Sequence, residues 1–166
     1  LAACMINESR YPTPQLLMSA SEALANFSIL DGIFISGKHN HENGQYFVSP
    51  AEKDSHLSDL LHLAIKKKMP VLGNSYGFVQ MNGAFINTDV PSCYLAVEPL
   101  FNNISFNTYG LLGCMFPGRH YQKIKIDNTP QIMALSSFMK VEAKTEKNEI
   151  VAFSLASKES FYLAIK

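Results

Sequence analysis

The sequence predicts an α/β protein of three layers, in which helices cover both faces of an open, mostly parallel sheet and an antiparallel, β-rich C-terminal part follows. Two observations support this fold class. Short strand-like runs alternate with helical patterns in the first half, and strand-like runs follow one another with weak helical periodicity in the second half. The 166 residues, of which 47% are hydrophobic, fit one core, so residues 1–166 are expected to form a single domain.

In the first half, two short apolar runs that end in glycine, residues 31–37 and 69–73, predict strands buried on both faces. Residues 21–27 predict a short helix before the first strand. Between the strands, Asp54 or Ser55 can cap a helix whose apolar residues recur at helical spacing. Because strands and helices alternate with short connections, we expect parallel pairing with right-handed crossovers.

The second half is rich in β-branched and aromatic residues arranged in short runs. The runs that predict strands are residues 93–97, 123–126, 137–143, 150–155 and 161–165. Residues 146–149, Glu-Lys-Asn-Glu, predict the turn of an antiparallel hairpin. This half therefore supplies the β-rich part of the fold.

Charge and composition exclude several classes of function. The 14 basic and 14 acidic residues cancel, so nucleic acid and anionic membranes are not expected partners. Apolar runs fall short of the roughly 20 residues of a spanning helix, and no basic region precedes the apolar start. The three cysteines, Cys4, Cys93 and Cys114, are an odd and widely spaced set, expected to be reduced and mostly buried. A cytoplasmic protein without a metal or cofactor is the expectation.

The segment Gly73-Asn74-Ser75-Tyr76-Gly77 has the G-x-S-x-G pattern of a nucleophile elbow, between a predicted strand and a predicted helix. Its glycines permit a tight turn that would lift the Ser75 hydroxyl off the sheet. The amide of Tyr76 could bind a developing oxyanion, with Gly37 or Lys38 as the second donor. A helix-capping serine in a tight turn is the alternative interpretation.

The histidines offer one candidate for the active-site cleft. His56 and His62 fall on the helix before the second strand, where surface or packing roles are expected. His39 and His41 lie in a polar loop without a cluster of further ligands, so a metal site is not predicted. His120 has polar neighbours, and either faces the same cleft as Ser75 or is a solvated loop histidine.

The order of these segments resembles the class I glutamine amidotransferase superfamily, especially its γ-glutamyl hydrolase-like (peptidase C26-like) branch, over most of the chain. The segments that carry the resemblance are the strand of residues 31–37 with its glycine turn, the elbow of residues 70–77, the His-Tyr-Gln of residues 120–122, and the closing strands of residues 149–153 and 161–166. The resemblance implies a flavodoxin-like fold.

The sequence departs from the family pattern at the site. Ser75 stands where the family has cysteine, Lys38 replaces a second glycine, and Val79 stands where glutamine is usual, whereas Asn82 matches a family asparagine. The family's His-Pro-Glu motif, which supplies the base and its carboxylate, is not among the 166 residues. The start of the sequence also lacks the family's usual first strand and helix, so family segments are expected to be missing at both ends.

The resemblance implies an amide hydrolase that acts on a γ-glutamyl or glutamine-like small molecule through an acyl-enzyme at Ser75. Tyr46, His120 and Gln122 would then bind substrate, and no cofactor is required. Two other interpretations stay open: a non-catalytic domain that binds a small amino-acid ligand or a protein partner, and an enzyme silenced by an engineered serine at the cysteine position. A homodimer and a partner domain are both compatible with the sequence.

Overall fold

The computed structural model describes residues 17–35, 55–74, 76–86, 100–118, 121–126, 132, 135–157 and 159–166. The helices are α1 (Ala20–Ala25), α2 (Ser55–Lys66), α3 (Tyr76–Gly83) and α4 (Leu111–Met115), with a 3₁₀ turn at Phe27–Ile29. The strands are β1 (Ile33–Ile35), β2 (Val71–Asn74), β3 (Leu100–Phe106), β4 (Tyr121–Ile126), β5 (Met139–Thr145), β6 (Ile150–Leu155) and β7 (Tyr162–Ile165).

The strands form one sheet in the order β1-β2-β7-β6-β5-β3-β4. This confirms the predicted α/β class. The sheet is mixed, however: β1–β2 and β2–β7 pair in parallel, and the other four pairings of described strands are antiparallel. Parallel pairing was expected to predominate in the sheet, and it does not. Strands joined by a short connection, such as the β5–β6 turn in which Asn148 has φ 63°, can pair only in the antiparallel direction.

Helices cover both faces of the sheet. On one face, α2 and α3 pack onto the strands through a core that contains Leu61, Ala64, Phe78, Met81, Phe153 and Tyr162. On the other face, Leu112 of α4 packs with Ile104, Ala143, Ala152 and Leu163. Tyr162 and Leu163 are successive residues of β7 and point to opposite faces, so the two cores lie on opposite sides of the sheet. The three predicted layers are thus present.

The first two helices have ends that their sequences explain. Ser19 caps α1, since its hydroxyl accepts from the Glu22 amide and the Glu22 carboxylate accepts from the Ser19 amide. α2 begins at Ser55 and ends at Lys66, so the helix predicted between the first two strands is present. Lys68 takes a left-handed φ of 57°, and the Met69 amide donates to the Ala64 carbonyl at 2.8 Å, which closes the helix.

A buried carboxylate holds α4 in place. Glu142 of β5 is fully buried, and its Oε2 accepts from the Leu112 amide at 3.0 Å while its Oε1 accepts from Ser154 Oγ at 2.6 Å. Lys140 Nζ lies 3.3 Å from Oε1. The carboxylate occupies the space where a Cβ on Gly110 would stand, so α4 can approach β5 only because residue 110 is glycine.

Several sequence predictions have mixed outcomes. The predicted strands at residues 123–126, 137–143, 150–155 and 161–165 correspond to β4, β5, β6 and β7, whereas residues 93–97 lie outside the described residues. β3 and α4 were not predicted. Cys114 is exposed, which corrects the expectation of a buried thiol at that position; Cys4 and Cys93 fall outside the described ranges. Within the part of the chain that the structure describes, no helix could cross a membrane.

Candidate functional site

The predicted strand-to-helix junction is present. β2 ends at Asn74 and α3 begins at Tyr76, and Ser75 between them is outside the described residues. In the parallel register, Gly73 pairs with Ile35 of β1 and with Ala164 of β7, and Asn74 pairs with Ile165. The carboxyl ends of three parallel strands therefore meet at this junction. In α/β sheets, this edge is where ligands bind.

Both glycines of the elbow lie against close neighbours, a backbone carbonyl at Gly77 and a side chain at Gly73. A Cβ on Gly77 would overlap the carbonyl oxygen of Ile35, the last residue of β1, and this backbone atom cannot move aside without distorting the strand. A Cβ on Gly73 would overlap the thioether of Met81, which is fully buried one turn further along α3. The G-x-S-x-G pattern thus lets the first turn of α3 pack against the ends of β1 and β2.

The other end of α3 is fixed by hydrogen bonds to the last carbonyl groups of the helix and the residues just after it. The hydroxyl of Tyr162 donates to the Met81 carbonyl at 3.1 Å, and Ser58 Oγ donates to the Ala84 carbonyl at 3.3 Å. Asn82 is buried, and its Oδ1 accepts from the Ser136 amide at 3.1 Å. The asparagine that matched the family pattern therefore joins α3 to the segment that precedes β5.

Replacing Tyr162 with phenylalanine should lower the free energy of unfolding by about 1 to 2 kcal/mol, because the Met81 carbonyl would lose its buried donor. Burial raises the pKa of the Tyr162 phenol well above its ordinary value, so the hydroxyl remains a donor at all ordinary pH values. Urea titration of both proteins measures the difference. An unchanged midpoint would show that this bond does not stabilise α3.

The N-terminus of α3 is suited to bind negative charge. The first amide groups of a helix have no partner within the helix, and the helix dipole places a partial positive charge there. Tyr76, the predicted oxyanion donor, is the first residue of α3. The end of β1 lies against the same turn through the Ile35 carbonyl group. Gly37 and Lys38, which follow, are outside the described residues.

The remaining predicted site residues are not brought to the elbow by the described part of the chain. Tyr46 and His120 lie outside the described residues. Gln122 belongs to β4, and four strands separate β4 from β2 in the sheet. At the usual spacing of neighbouring strands, this places the two strands roughly 24 Å apart. A substrate-binding role of Tyr46, His120 and Gln122 stays a prediction.

The two described histidines have the positions expected of helix residues. His62 Nδ1 lies 2.8 Å from the Ser58 carbonyl oxygen, and its ring packs on Phe85 with centroids 4.6 Å apart. Because Phe85 follows the C-terminal end of α3, His62 is at the opposite end of that helix from the elbow. His56 is an exposed residue in the first turn of α2. His39 and His41 lie outside the described residues.

A half-buried lysine at this edge of the sheet, Lys166, was not predicted from the sequence. The side chain of Lys166 is 5% exposed, and its Nζ lies 3.9 Å from Glu149 Oε2. Burial lowers the pKa of Lys166, and the negative charge of Glu149 opposes that effect. Its amide donates to the Val151 carbonyl at 2.8 Å, which continues the β6–β7 ladder by one residue. A lysine that follows a strand normally indicates a solvated position, so no local pattern indicates this burial.

No cluster of three or more histidine, cysteine or acidic side chains suited to a metal ion is found among the described residues. The described part of the edge offers the backbone amides at the start of α3 and turns that pack through glycines, and the ammonium group of Lys166 is paired with Glu149. Such groups suit the binding of an oxyanion or a carboxylate.

Comparisons with known proteins identify the fold of this chain, through matches to solved structures. No family model matches the sequence, and no curated protein matches it. Among solved structures, a glutamine amidotransferase from Thermotoga maritima matches with a TM-score of 0.54, 13% identity and 80% of this chain covered. A protein from Thermoplasma acidophilum, described as one component of GMP synthase, matches with a TM-score of 0.51, 18% identity and 88% of this chain covered.

The glutaminase domain of Trypanosoma brucei CTPS, solved with bound acivicin, matches with a TM-score of 0.66, 11% identity and 90% of this chain covered. The chain spans 53%, 64% and 70% of the lengths of these three structures. At such low identities the matches establish the architecture. The chain has the flavodoxin-like fold of class I glutamine amidotransferase domains, as the sequence resemblance implied.

Proposed function

We propose that this chain is a glutamine amidotransferase-like domain that hydrolyses a γ-glutamyl or glutamine side-chain amide through an acyl-enzyme at Ser75. The observation that carries the proposal is the junction of β2 and α3, where Gly73 and Gly77 pack the first turn of a helix against the ends of parallel strands. A nucleophile elbow needs this geometry. The shared fold supports the same class of domain.

In the proposed reaction, Ser75 Oγ attacks the amide carbon and transfers its proton to a general base. The oxyanion that forms would accept hydrogen bonds at the N-terminus of α3, with the Tyr76 amide as one donor, an interaction commonly contributing about 3 kcal/mol. Collapse of this intermediate breaks the C–N bond, and the amine leaves with a proton. Water then hydrolyses the acyl ester and restores Ser75.

The proton acceptor is proposed to reach Ser75 from the edge where β1, β2 and β7 end. Of the two described histidines, His62 is engaged at the far end of α3 and does not serve this role. Serine is far less acidic than cysteine and depends more strongly on such a base. The resemblance to the γ-glutamyl hydrolase-like branch favours free hydrolysis over ammonia transfer to a partner domain.

Covalent labelling by the glutamine-like electrophile 6-diazo-5-oxo-norleucine tests this proposal. The parent protein and a Ser75→Cys variant should both gain the mass of the label on the peptide that contains residue 75, the variant at least about 10-fold faster because a thiolate is the stronger nucleophile. Ser75→Ala is the matched control, since it retains the exposed Cys114. Absence of label at residue 75 in both reactive proteins would contradict the hydrolase proposal.

A non-catalytic ligand-binding domain is the second candidate. The observation that favours it is the serine at the position where the resembled family has cysteine, together with the engagement of His62 away from the elbow. Such a domain would bind glutamine in calorimetry with the same affinity before and after Ser75→Ala. It would also release no ammonia, which separates it from a hydrolase.

A further inference from the structure

The outer surface around α4 carries three large apolar side chains that face solvent. Tyr109, two residues before the helix, is 89% exposed, and Met115 and Phe116, at the end of the helix, are about half exposed. α4 has five residues, so at a rise of about 1.5 Å per residue it is only about 7.5 Å long. The three side chains therefore belong to one small surface, the α4 patch.

The chain segment that forms the α4 patch contains no charge. Residues 100–118 include no Asp, Glu, Lys, Arg or His, although 17% of the whole chain is charged. The charges that lie beneath α4, Glu142 and Lys140, pair with each other at 3.3 Å. Exposed apolar patches mark interaction sites, and the centres of protein interfaces are poor in charge and rich in Tyr, Phe and Met. The α4 patch has the composition of such an interface.

The backbone holds Tyr109 in a fixed position. Asn107 Nδ2 donates to the Val141 carbonyl at 3.1 Å, and Asn107 Oδ1 accepts from the Tyr109 amide at 3.2 Å. The Gly110 amide donates to the Asn107 carbonyl at 2.9 Å. Binding is weakened when a loop must be ordered first, and a tyrosine side chain on an ordered backbone has few torsions left to fix. Tyr109 is therefore suited to anchor a contact.

We propose that the α4 patch docks onto the α4 patch of a second copy of this chain, about a two-fold axis. In such a contact, each surface must be complementary to itself. A charged surface would repel its own copy, whereas the uncharged segment 100–118 does not. The 14 basic and 14 acidic residues of the chain cancel, so no net charge keeps two copies apart. A partner that recognises charge would find none on this segment.

The size of the α4 patch sets the expected strength of this dimer. A large side chain such as an aromatic one buries roughly 150–250 Å², so the exposed parts of Tyr109, Met115 and Phe116 supply roughly 300–450 Å² per copy. A standard interface buries about 800 Å² per partner. We therefore expect a weak dimer with a Kd of about 10 to 100 μM, in equilibrium with the monomer.

Sedimentation velocity of the 166-residue chain between roughly 2 and 200 μM tests the dimer. The mean mass should rise with concentration from the monomer value of 18.5 kDa toward twice that value. Tyr109→Asp should raise the Kd at least about 10-fold, because it places like charges on two surfaces that meet. Its unfolding midpoint should stay unchanged, since the side chain of Tyr109 is exposed.

Ile29→Asp is the matched control, since it also replaces an exposed apolar residue with a charged one. Ile29 lies in the 3₁₀ turn, which packs through Phe27 onto the core of α2 and α3, on the opposite face of the sheet from α4. This variant should dimerise as the parent does. Equal weakening by Ile29→Asp and Tyr109→Asp would overturn the proposal, because a general effect of charge would then explain both results.

Cross-linking with a short bismaleimide identifies the surface that meets in the dimer. Cys114 is an exposed residue of α4, so the two copies of Cys114 should be joined, and mass mapping separates this link from links through Cys4 or Cys93. A chain that stays monomeric throughout, or a dimer without the link between Cys114 residues, would overturn the proposal. Neither measurement involves Ser75, so the result is independent of the hydrolase proposal.

Discussion

Replacing Glu142 with alanine is expected to lower the free energy of unfolding by about 3 to 5 kcal/mol, the usual cost of breaking a buried charge network from one side. The substitution removes the acceptor of the Leu112 amide and of Ser154 Oγ, and it leaves Lys140 without its carboxylate. It also opens a cavity between α4 and β5. Urea denaturation followed by circular dichroism measures the loss.

The charge of Glu142 makes the same site sensitive to acid. Burial alone would raise the pKa of Glu142, but hydrogen bonds from Ser154 and from the amides of Leu111 and Leu112, with the charge of Lys140, outweigh it and hold the pKa below its ordinary value. A lowered native pKa means that this stabilisation is complete above the unfolded pKa of about 4.5 and is lost as the pH falls through the native value.

Two control variants separate this network from general effects of charge. Glu142→Gln keeps the shape of the side chain but cannot ionise, so its unfolding free energy should vary less with pH below about 4.5 than that of the parent. Glu159→Ala removes an exposed carboxylate that pairs with the exposed Lys68, and little change in stability is expected. If Glu142→Ala were as stable as Glu159→Ala, the carboxylate would not hold α4.

The first half of the fold could be predicted because its signals are local. The apolar residues of α2 recur at helical spacing, and the runs that form β1 and β2 are short, apolar and ended by turn residues. β3 was missed because its sequence, Leu-Phe-Asn-Asn-Ile-Ser-Phe, has two asparagines in its middle, and asparagine is unfavourable in strands. Pairing with β4 and β5 overrides that preference.

The polar interior could not be predicted because it depends on tertiary contacts. β5 was predicted as a strand, but register shifts between Val141 and Lys144 interrupt its alternation and bury Glu142 and Ala143 together. α4 is only five residues long and contains a glycine, and its position depends on the Glu142 carboxylate. Lys166 likewise acquires its burial from the alignment of β7 with β6 and the β5–β6 turn.

The strand-to-helix junction of the candidate site could be predicted from the sequence. The structure confirms that β2 precedes the junction and that α3 follows it. The roles of Ser75, Gly37 and Lys38 rest on the pattern and the family resemblance. The described strands add the reason for the pattern, since each elbow glycine meets a specific neighbour. The glycines are therefore the part of the motif whose role can be tested without knowledge of a substrate.

Gly77→Ala is expected to lower the free energy of unfolding by about 2 to 3 kcal/mol, because the new methyl group would overlap the Ile35 carbonyl oxygen and push α3 away from β1. Gly83→Ala, at the other end of the same helix, is the matched control. Its Cβ would meet no atom within 4 Å, and the gain in helix propensity should stabilise the protein by about 0.5 to 1 kcal/mol.

The opposite signs of these two substitutions distinguish steric contact from helix propensity, since both replace a glycine of α3 with alanine. Thermal unfolding of the two variants and their parent measures both effects. If Gly77→Ala were as stable as Gly83→Ala, the first turn of α3 would not be pressed against β1. The elbow would then lack the tight geometry on which a nucleophile at position 75 depends, and the structural basis of the hydrolase proposal would be lost.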